Sequence, residues 1–473
     1  MERASGRAPD SAAGKTARSR RSRAALFAMA LLVATGPAGA QSQVAVNAPP
    51  TADLAELSRI EAEREVLFRR MLVDPADLDL AFRYAALSAQ AGDLEGAIAT
   101  LERMLIFAPG LPRLQLELGV LYFRLGAYET ASGYFESALA APDVPPEVRQ
   151  RVLPFQETIA ARTAPSRFEA AVIAGARYQS NANAAPESRT VRLNGLDFLL
   201  SDASTSASDV NGFLAGSLRY SLDLQTQGDT LDIGLQGYGA LYADRTELNT
   251  ALAELTVGPR FNLQRFRIDG ASLGVYAILG GVHLDGDPYL LSAGAGANLT
   301  KTIGSDTLAS LTFEYRNEAF RNSFRRPTAS TRTGDRFSGR ASLEKRLTAR
   351  TSIFGTVSGE RRDANEGFFS LNEGGLSLGT THLFEGPFGA RDRPWSTTLS
   401  GGLLRRAYDD PDPLINARQA QNDDEVFLQG SLTVPLRDDW AVQTVLGYRD
   451  VSSNYDIRDF SNVSATLGLM KRF

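Results

Sequence analysis

The C-terminal part of the chain alternates between apolar and polar side chains, and this alternation limits the fold more than any other feature of the sequence. In the segment TLASLTFEYRNEAF, Leu311, Phe313 and Tyr315 fall on one face, whereas Thr312 and Glu314 fall on the other. A period of two is the period of a β-strand. Because charged residues recur well inside these segments, one face of each strand is predicted to face water, as in a barrel with a wet interior.

Fourteen alternating segments can be counted in residues 165–473. The number is even, and each segment is long enough to cross a bilayer at a tilt. We therefore predict that this part of the chain forms a 14-stranded antiparallel transmembrane β-barrel. The predicted strands cover residues 167–179, 209–224, 229–243, 248–262, 268–284, 288–302, 306–319, 335–348, 351–362, 369–383, 395–408, 423–436, 439–452 and 459–473.

The connections between the predicted strands are long at one end of the barrel and short at the other. This difference is typical of outer-membrane barrels, whose long loops are external and whose short turns are periplasmic. A longer turn at 385–394 is an exception in the short set. The long connections cover 180–208, 321–334 and 409–422, and the short ones cover 225–228, 304–305, 348–349 and 437–439.

Residues 52–164 have a helical pattern that repeats every 34 residues. A period of 34 is typical of tetratricopeptide repeats, in which pairs of helices stack into a solenoid. We therefore predict a tetratricopeptide-repeat α-solenoid in this part of the chain. The pairs of residues that carry the period are Pro75 and Pro109, Gly92 and Gly126, Ala97 and Ala131, and Leu101 and Phe135.

Such repeats commonly bind extended peptides or partner proteins in a concave groove. From their positions within the repeat, Phe82, Arg113, Leu116 and Phe123 are predicted to face this groove. They would offer aromatic, apolar and cationic contacts to a client protein. Packing between neighbouring repeats is the alternative role for each of them.

Residues 1–40 have the composition of a secretory signal peptide. A basic segment precedes the apolar run Ala24–Ala34, and small residues at Ala38 and Ala40 form a cleavage site. Seven Lys or Arg and two Asp or Glu give this segment a net charge of +5; because the whole chain carries -5, the rest carries -10. An acidic mature chain argues against nucleic acid as a partner. The absence of cysteine excludes disulfides and thiolate chemistry.

Residues suited to catalysis or metal binding are scarce in the sequence. The chain has two histidines and no cysteine. The segments GASLG and GLSLG match a nucleophile pattern, but both lie inside Gly- and Ser-rich strands instead of at a strand-to-helix turn. A pair formed by Ser272 and His283 would lack an evident third partner. We therefore predict no enzyme activity, no cofactor and no bound metal.

Charged residues on the polar face of the strands are predicted to line the barrel lumen. Opposite charges on facing strands could either hold the barrel wall together or line a conduit. The sequence is compatible with both roles. The predicted lumenal residues are Glu314, Arg316, Arg340, Glu344, Arg346, Glu360 and Arg362.

One of the long connections, predicted to be external, is rich in arginine. Arg321, Arg325, Arg326 and Arg332 lie within 321–334 and could pair with the phosphates of lipopolysaccharide. Simple solvation of the loop is the alternative.

The chain ends in an alternating segment whose last residue is aromatic. Leu467, Leu469 and Phe473 fall on the predicted lipid-facing side and resemble the C-terminal signal that the barrel-assembly machinery reads. Lys471 departs from that signal, because an apolar residue is common at its position; near the interface its ammonium group could snorkel. A barrel leaves no free edge in the bilayer, so we expect the final strand to pair with the first.

A signal peptide, a short tetratricopeptide-type domain and one 14-stranded barrel together resemble the surface lipoprotein assembly modifier (Slam) family. The resemblance covers Leu54–Phe473. Its most specific part is FEAAVIAGARYQSNANAAP, in which the first barrel strand runs into the S-N-x-N stretch Ser180–Asn183. The final strand, which ends Lys471-Arg472-Phe473, is also similar to that of the family.

This resemblance implies an outer-membrane translocation factor of a Gram-negative bacterium, with many membrane-spanning strands and a periplasmic N-terminal domain. Its client would be a surface lipoprotein or a related secreted protein. Its other partners would be outer-membrane lipid, lipopolysaccharide and the barrel-assembly machinery, and we expect a monomer. The family has no catalytic residues to transfer. Two alternatives stay open: a polysaccharide-export porin, which also joins such repeats to a barrel, and a general diffusion porin.

Overall fold

The computed structural model describes residues 54–140, 144, 146–388, 393–437 and 439–473. The predicted signal peptide, residues 1–40, lies outside the described residues, as does part of the predicted turn at 385–394. The described chain divides into a helical unit that ends at Arg167 and a barrel unit that begins at Phe168.

The helical unit contains six helices within the described residues, and their starts follow the 34-residue period. Helices α2, α4 and α6 begin at residues 78, 112 and 146, and helices α3 and α5 begin at residues 94 and 128. No helix in the described part of the chain combines the length and apolar character needed to cross a bilayer. The helices are α1 (Leu54–Val73), α2 (Leu78–Gln90), α3 (Leu94–Met104), α4 (Pro112–Leu125), α5 (Tyr128–Leu139) and α6 (Pro146–Thr163).

Equivalent residues of the two complete repeats have the same local structure. Gly92 and Gly126 follow the first helix of each repeat with φ angles of 86° and 85°, a left-handed conformation that glycine adopts without strain and that ends a helix. Ala97 and Ala131 are both fully buried where the second helix packs on the first. The sequence period therefore corresponds to a repeated structural unit.

Two hydrophobic cores hold the helices together. The first core is shared by helices α1, α2, α3 and α4, with Leu101, Met104 and Leu118 buried inside it. The second joins α4, α5 and α6 around Phe135 and Val152. Because α6 covers the second core, it takes the place of the capping element that the end of a solenoid needs.

A partly buried carboxylate ties α3 to the following repeat. Glu102 accepts hydrogen bonds from the hydroxyls of Tyr122 at 2.6 Å and Tyr134 at 3.2 Å, and the two tyrosine rings stack with centroids 5.4 Å apart. The hydrogen bond to the Glu102 carboxylate raises the pKa of Tyr122 to about 12, and burial raises the pKa of Tyr134. Both hydroxyls therefore stay protonated as donors at neutral pH.

We expect Gly119→Ala to destabilise the helical unit by about 1–3 kcal/mol, the usual cost of overpacking a core. A Cβ at this position would lie 2.5 Å from the Phe135 ring. Gly133→Ala is the matched control, because its Cβ would meet nothing within 4 Å, and alanine there should stabilise α5 by roughly 0.5–1 kcal/mol. Both effects are measured as shifts in the midpoint of thermal unfolding, followed by the circular dichroism of the full chain at 222 nm. Equal shifts in the two variants would contradict the packing described for Phe135.

The barrel unit is a closed ring of fourteen antiparallel strands, which confirms the predicted fold. Strand β1 pairs with β16, and the order then descends through neighbouring strands to β4. The strands are β1 (Ser166–Gln179), β2 (Thr190–Leu193), β3 (Leu196–Leu199), β4 (Asp209–Asp223), β5 (Thr230–Tyr242), β6 (Thr250–Asn262), β7 (Ala271–Leu284), β8 (Asp287–Ile303), β9 (Thr307–Phe320), β10 (Gly334–Arg346), β11 (Thr351–Ala364), β12 (Leu371–Phe384), β13 (Trp395–Tyr408), β14 (Asn422–Pro435), β15 (Trp440–Ser453) and β16 (Phe460–Arg472).

Two short strands, β2 and β3, lie outside the ring and were not predicted. They form a hairpin in the connection between β1 and β4, with Thr190 opposite Leu199. Asn194 and Gly195 turn the hairpin with φ angles of 50° and 80°. An Asn-Gly pair is a strong signal for a two-residue hairpin turn, but the flanking strands are too short to show a clear alternation.

The barrel closes by pairing its last strand with its first, as expected. The register of the β1–β16 seam runs from Ala171 opposite Arg472 to Gln179 opposite Ser464. Phe473 extends the seam by one residue: its N–H donates to the Ala170 carbonyl at 2.9 Å, and its carbonyl accepts from the Ala170 N–H at 3.3 Å.

The two ends of the barrel differ in the length of their connections. We call the end with the short connections, where β1 begins and β16 ends, the inner end, and the opposite end the outer end. The short connections include residues 224–229, 304–306, 347–350 and 436–439, and the long ones include 180–208, 321–333 and 409–421.

The apolar face predicted for the strands is the outward face of the barrel wall, and the polar face is the inward one. Leu311, Phe313 and Tyr315 are exposed on the outward face of β9, in alternation with less exposed polar residues. Leu467 and Leu469 are likewise exposed on β16. The outward surface is therefore apolar along the strands, as a lipid-facing wall must be.

Candidate functional site: the barrel lumen

The inward face of the strands forms a lumen with two different zones. Residues directly opposite each other on paired strands share a face, so the register shows which side chains meet inside the barrel. The outer half carries most of the charged residues. The inner half is lined mainly by hydroxyl side chains.

The first group of charges in the outer half centres on Arg316 of β9. Its guanidinium donates to Glu254 of β6 and, at 2.9 Å, to Glu314 of its own strand. Gly280 on β7 lies opposite Glu254, and Gly294 on β8 lies opposite Arg316. The missing side chains at these glycines let the ion pair reach across two strands.

The second group joins β9, β10 and β11. Arg336 pairs with Glu360 at 2.7 Å and with Glu318 at 3.5 Å. Arg362 pairs with the same two carboxylates, at 3.1 Å to Glu360 and 3.8 Å to Glu318. Each of these charges therefore has two partners of opposite sign, which favours a fixed geometry.

The third group joins β12 to β15 and is the most buried. Arg406 pairs with Glu373 at 2.6 Å and with Glu425 at 2.9 Å, and Arg449 donates to Glu425 at 2.8 Å. The Glu425 side chain is 0% exposed. It lies between two arginines, and its removal would leave Arg449 without the carboxylate that it contacts, whereas Arg406 would keep Glu373.

These three groups form one feature, which we call the outer ion-pair belt. Its members lie on strands β6 and β9 to β15, on the inside of the wall. Its members are Glu254, Glu314, Arg316, Glu318, Arg336, Glu360, Arg362, Glu373, Arg406, Glu425 and Arg449.

The predicted lumenal residues fall into two sets. Glu314, Arg316, Glu360 and Arg362 belong to the outer ion-pair belt. Three others lie further in on β10. Among the described residues Arg340 and Glu344 have no ion-pair partner, and Arg346 contacts the Ser305 carbonyl at 3.4 Å from the inner end of the strand.

Hydroxyl side chains line the inner half of the lumen. Some of them bond to each other across the strands, as Ser272 does with Thr300 at 2.7 Å and Thr381 with Thr398 at 3.0 Å. Short hydroxyl side chains leave room and keep the wall polar. The set also includes Ser310, Thr312, Ser342, Thr356, Ser358, Ser377, Ser400, Ser431 and Thr433.

The candidate pair of Ser272 and His283 does not exist in the structure. Ser272 faces the lumen near the inner end of β7, and His283 is an odd number of residues away on the same strand, close to its outer end. The two side chains therefore lie on opposite faces of the wall. The G-x-S-x-G match around Ser272 arises from strand composition.

The S-N-x-N stretch has a structural role that the sequence did not reveal. Asn181 is buried; its side chain donates to the Ala185 carbonyl at 2.8 Å and the Ser461 carbonyl at 3.1 Å, and accepts from the Ala185 N–H. Asn183 bonds in the same way to Thr205 and Ala207. The two amides therefore fold the first long connection against the last strand.

The long connections also pack on each other at the outer end. Tyr455 is 2% exposed; its hydroxyl donates to the Gln419 carbonyl at 2.7 Å and accepts from the Asp412 N–H at 3.1 Å. Burial raises the pKa of Tyr455. At the β2–β3 turn, Asn194 donates its backbone N–H to the Ile415 carbonyl at 2.7 Å. These contacts join three connections into one assembly.

Most arginines of the connection that was predicted to be external are engaged by the protein itself. Arg325 pairs with Asp285 at 2.7 Å, and Arg326 donates to the Glu247 carbonyl at 2.7 Å. Arg332 lies over the Phe369 ring at 4.4 Å. These contacts hold the connection against its neighbours, and they compete with any pairing to phosphate.

The four groove residues predicted in the helical unit have different surroundings. Arg113 lies over the Phe82 ring at 4.7 Å. Phe123 meets the edges of Tyr128 and Phe155 at 5.5 and 5.0 Å. Leu116 is 1% exposed in the core between α4, α5 and α6, so it has no surface left for a client.

Comparison with known proteins adds little beyond these observations. No protein family and no characterised protein matches the sequence. The Yersinia enterocolitica type III secretion chaperone SycD, solved with a peptide of the translocator YopD, is 18% identical over 22% of this chain and 82% of its own, with a TM-score of 0.21. A bacterial polysaccharide outer membrane secretin is 10% identical over 64% of this chain and 98% of its own, with a TM-score of 0.33.

A third solved structure covers a similar share of the chain. The outer membrane channel DcaP of Acinetobacter baumannii is 10% identical over 65% of this chain and 97% of its own, with a TM-score of 0.35. Similarity at this level says nothing about what the chain does.

Proposed function

We propose that this protein spans the outer membrane of a Gram-negative bacterium as a multi-pass barrel and holds its helical unit in the periplasm. Two features support this placement. The outward face of the strands is apolar, with residues such as Phe313 and Leu467 exposed. The chain enters the barrel at the end with the short connections, which is the periplasmic end of such barrels. Barrel-assembly machinery would insert it, and it would act as a monomer in contact with lipid and lipopolysaccharide.

We further propose that the protein is a translocation factor that delivers surface lipoproteins or related secreted proteins from the periplasm to the cell surface. One observation carries this proposal: a single chain joins a helical repeat of the peptide-binding type to a closed barrel with a polar lumen. The helical unit would engage the client, and the barrel would act in its passage. No covalent chemistry is required of the chain.

The lumen suits the passage of a polymer better than the selection of small ions. Each arginine of the outer ion-pair belt has a carboxylate within 3.5 Å, so the charges compensate each other locally. The hydroxyls of the inner half offer many weak hydrogen bonds in place of one strong site. A passenger held this weakly can move on.

The hydroxyl lining also favours a second candidate, a polysaccharide-export porin. Hydroxyl side chains can exchange hydrogen bonds with sugar hydroxyls as readily as with a peptide backbone. The two candidates differ in the passenger, so the passenger decides between them.

The proposal is tested by protease treatment of intact cells. A lipoprotein or secreted protein encoded beside this chain is expressed with and without it, and its digestion by external protease is measured. We expect digestion only when the chain is present. Equal digestion without the chain would reject the translocation proposal. Loss of a surface polysaccharide in the deletion strain, with the client unaffected, would support the export porin.

Within this assay we expect the double variant Phe82→Ala, Arg113→Ala to reduce client delivery about tenfold. Loss of an aromatic or arginine contact at the centre of an interface commonly costs 2 kcal/mol or so, and about 1.4 kcal/mol is tenfold in affinity. The matched control changes the same residue types elsewhere, Arg103→Ala with Phe107→Ala, both exposed at the end of α3. An equal effect of both double variants would exclude a groove role for Phe82 and Arg113.

A further inference from the structure

We infer that the inner half of the lumen attracts passengers that carry carboxylate groups, through the free guanidinium groups of Arg219 and Arg340. Only the direction in which a passenger moves rests on the proposed function. The charge preference itself follows from the distribution of paired and unpaired residues on the inward face.

The two arginines are lumenal, exposed and without a carboxylate partner among the described residues. Arg219 lies on β4, four residues from the inner end of the strand, opposite Gly234. Arg340 lies at the middle of β10, opposite Thr312 and Ser358. The residues directly opposite them are small or carry hydroxyls. The nearest carboxylates that the register gives are diagonal to them, Glu314 and Glu360 for Arg340 and Asp232 for Arg219. Each of these carboxylates is already engaged by another arginine, so neither Arg219 nor Arg340 has a carboxylate of its own.

The arginines of the outer half are not free to bind a carboxylate of a passenger. All those of the outer ion-pair belt are engaged by glutamates. Arg177, which lies outside the belt on β1, donates to the Thr466 hydroxyl at 3.1 Å and lies over the Phe213 ring at 5.6 Å. The free positive charge of the lumen is therefore concentrated in its inner half.

Carboxylates of the inner half compensate only part of this charge. Asp232 is paired with Arg260 at 2.8 Å. Asp223 ends β4 and accepts the Gln225 N–H at 2.7 Å. Glu344 is four residues from Arg340 along β10, about 13 Å at the rise of a strand.

The inward face of the inner half therefore has an excess of positive charge. In the paired parts of the strands, counted from their middle to their inner end, it carries five arginines and three carboxylates, an excess of two. The arginines are Arg219, Arg260, Arg340, Arg346 and Arg472, and the carboxylates are Asp223, Asp232 and Glu344.

A small excess of charge has a large effect inside a barrel. The low-dielectric wall focuses the field into the lumen and raises the local concentration of the opposite charge. A guanidinium group also binds a carboxylate with two parallel hydrogen bonds. A client segment rich in Asp or Glu would therefore enter the inner half more readily than a basic one.

The absence of cysteine allows a direct test in the full-length protein. Ser342→Cys places a single thiol on the inward face two residues from Arg340. The protein in detergent micelles is treated with two methanethiosulfonate reagents, one with an anionic sulfonate group and one with a cationic trimethylammonium group. The rate at which each reagent modifies the thiol is divided by its rate with a small thiol in solution. We expect the anionic reagent to be favoured about tenfold, and Arg340→Gln to lower this preference at least about threefold, because a nearby charge contributes on the order of a kcal/mol.

The matched control is Arg405→Gln, which removes a guanidinium from the outward face of β13 and should leave the ratio unchanged. A ratio equal to that of the free thiol, a preference for the cationic reagent, or a thiol that does not react would each overturn the inference. So would an Arg340→Gln variant with an unaltered ratio. The thiol assay uses no client protein. If the anionic reagent is favoured but the client is not delivered in the protease assay, only the proposed passenger is rejected.

Discussion

Replacing Glu425 with alanine is expected to destabilise the barrel by about 3–5 kcal/mol, the cost of leaving buried charges without a partner. The Glu425 side chain is fully buried and accepts hydrogen bonds from Arg406 at 2.9 Å and from Arg449 at 2.8 Å. Arg406 would keep Glu373, whereas Arg449 would lose the carboxylate that it contacts. The third group of the outer ion-pair belt would therefore keep a single ion pair.

The next residue along the chain provides the control. Asp424 lies on the outward face and pairs with Arg405 at 3.8 Å, with side chains that are 71% and 75% exposed. Exposed pairs of this kind contribute little, so Asp424→Ala should behave like the unchanged protein. Both variants are measured by urea titration of the folded barrel, detected as the form that migrates faster on unheated gels.

A third variant separates charge from packing. Replacing all four members, Glu373, Glu425, Arg406 and Arg449, by Leu, Leu, Met and Met should recover much of the stability, because apolar replacement of a whole buried ion-pair group is often neutral. Equal midpoints for Glu425→Ala and Asp424→Ala would show that the belt does not stabilise the barrel. A quadruple variant as unstable as Glu425→Ala would show that volume and not charge is decisive.

The strands of the barrel could be predicted from the sequence because each one has an apolar outward face and a polar face toward the lumen. That constraint acts on every second residue, so it leaves an alternation that survives without knowledge of the fold. The bounds of β13, Trp395–Tyr408, agree with the predicted strand at both ends. The repeat was equally visible, because equivalent residues such as Ala97 and Ala131 fill equivalent buried positions.

Contacts between strands that are not neighbours could not be predicted. The pair between Arg316 and Glu254 crosses two strands and depends on the register and on glycines at 280 and 294. Alternation assigns a side chain to a face but gives neither its height in the barrel nor its partner. For that reason Arg316 and Arg340 have the same signature in the sequence, although one is paired and the other is free.

The helical unit shows a similar limit. The repeat pattern assigns Leu116 to the concave side, but α6 packs there and buries it beside Val152 and Ile159. A position within a repeat indicates a groove only where no further helix covers it. Phe82 and Arg113, which belong to the earlier turns of the solenoid, are not members of that covered core.

Deletion of Phe473 is expected to reduce the amount of assembled barrel in the outer membrane at least about tenfold. The residue makes the last two backbone hydrogen bonds of the β1–β16 seam, both with Ala170. Its ring is 66% exposed, and the Lys471 ammonium lies 5.7 Å from the ring centroid. A chain without it would lose the end of the seam that closes the barrel edge and the aromatic residue of the predicted assembly signal together.

Two substitutions at the same position separate these contributions. Phe473→Ala keeps both backbone bonds and removes the ring, and Phe473→Tyr keeps the bonds and an aromatic ring. If the assembly machinery reads the aromatic residue, together with Leu467 and Leu469, then Phe473→Ala should resemble the deletion and Phe473→Tyr the unchanged protein. If the backbone bonds alone matter, both substitutions should assemble normally. Normal levels of the folded form in the deletion itself would show that the seam closes and the barrel inserts without its last residue.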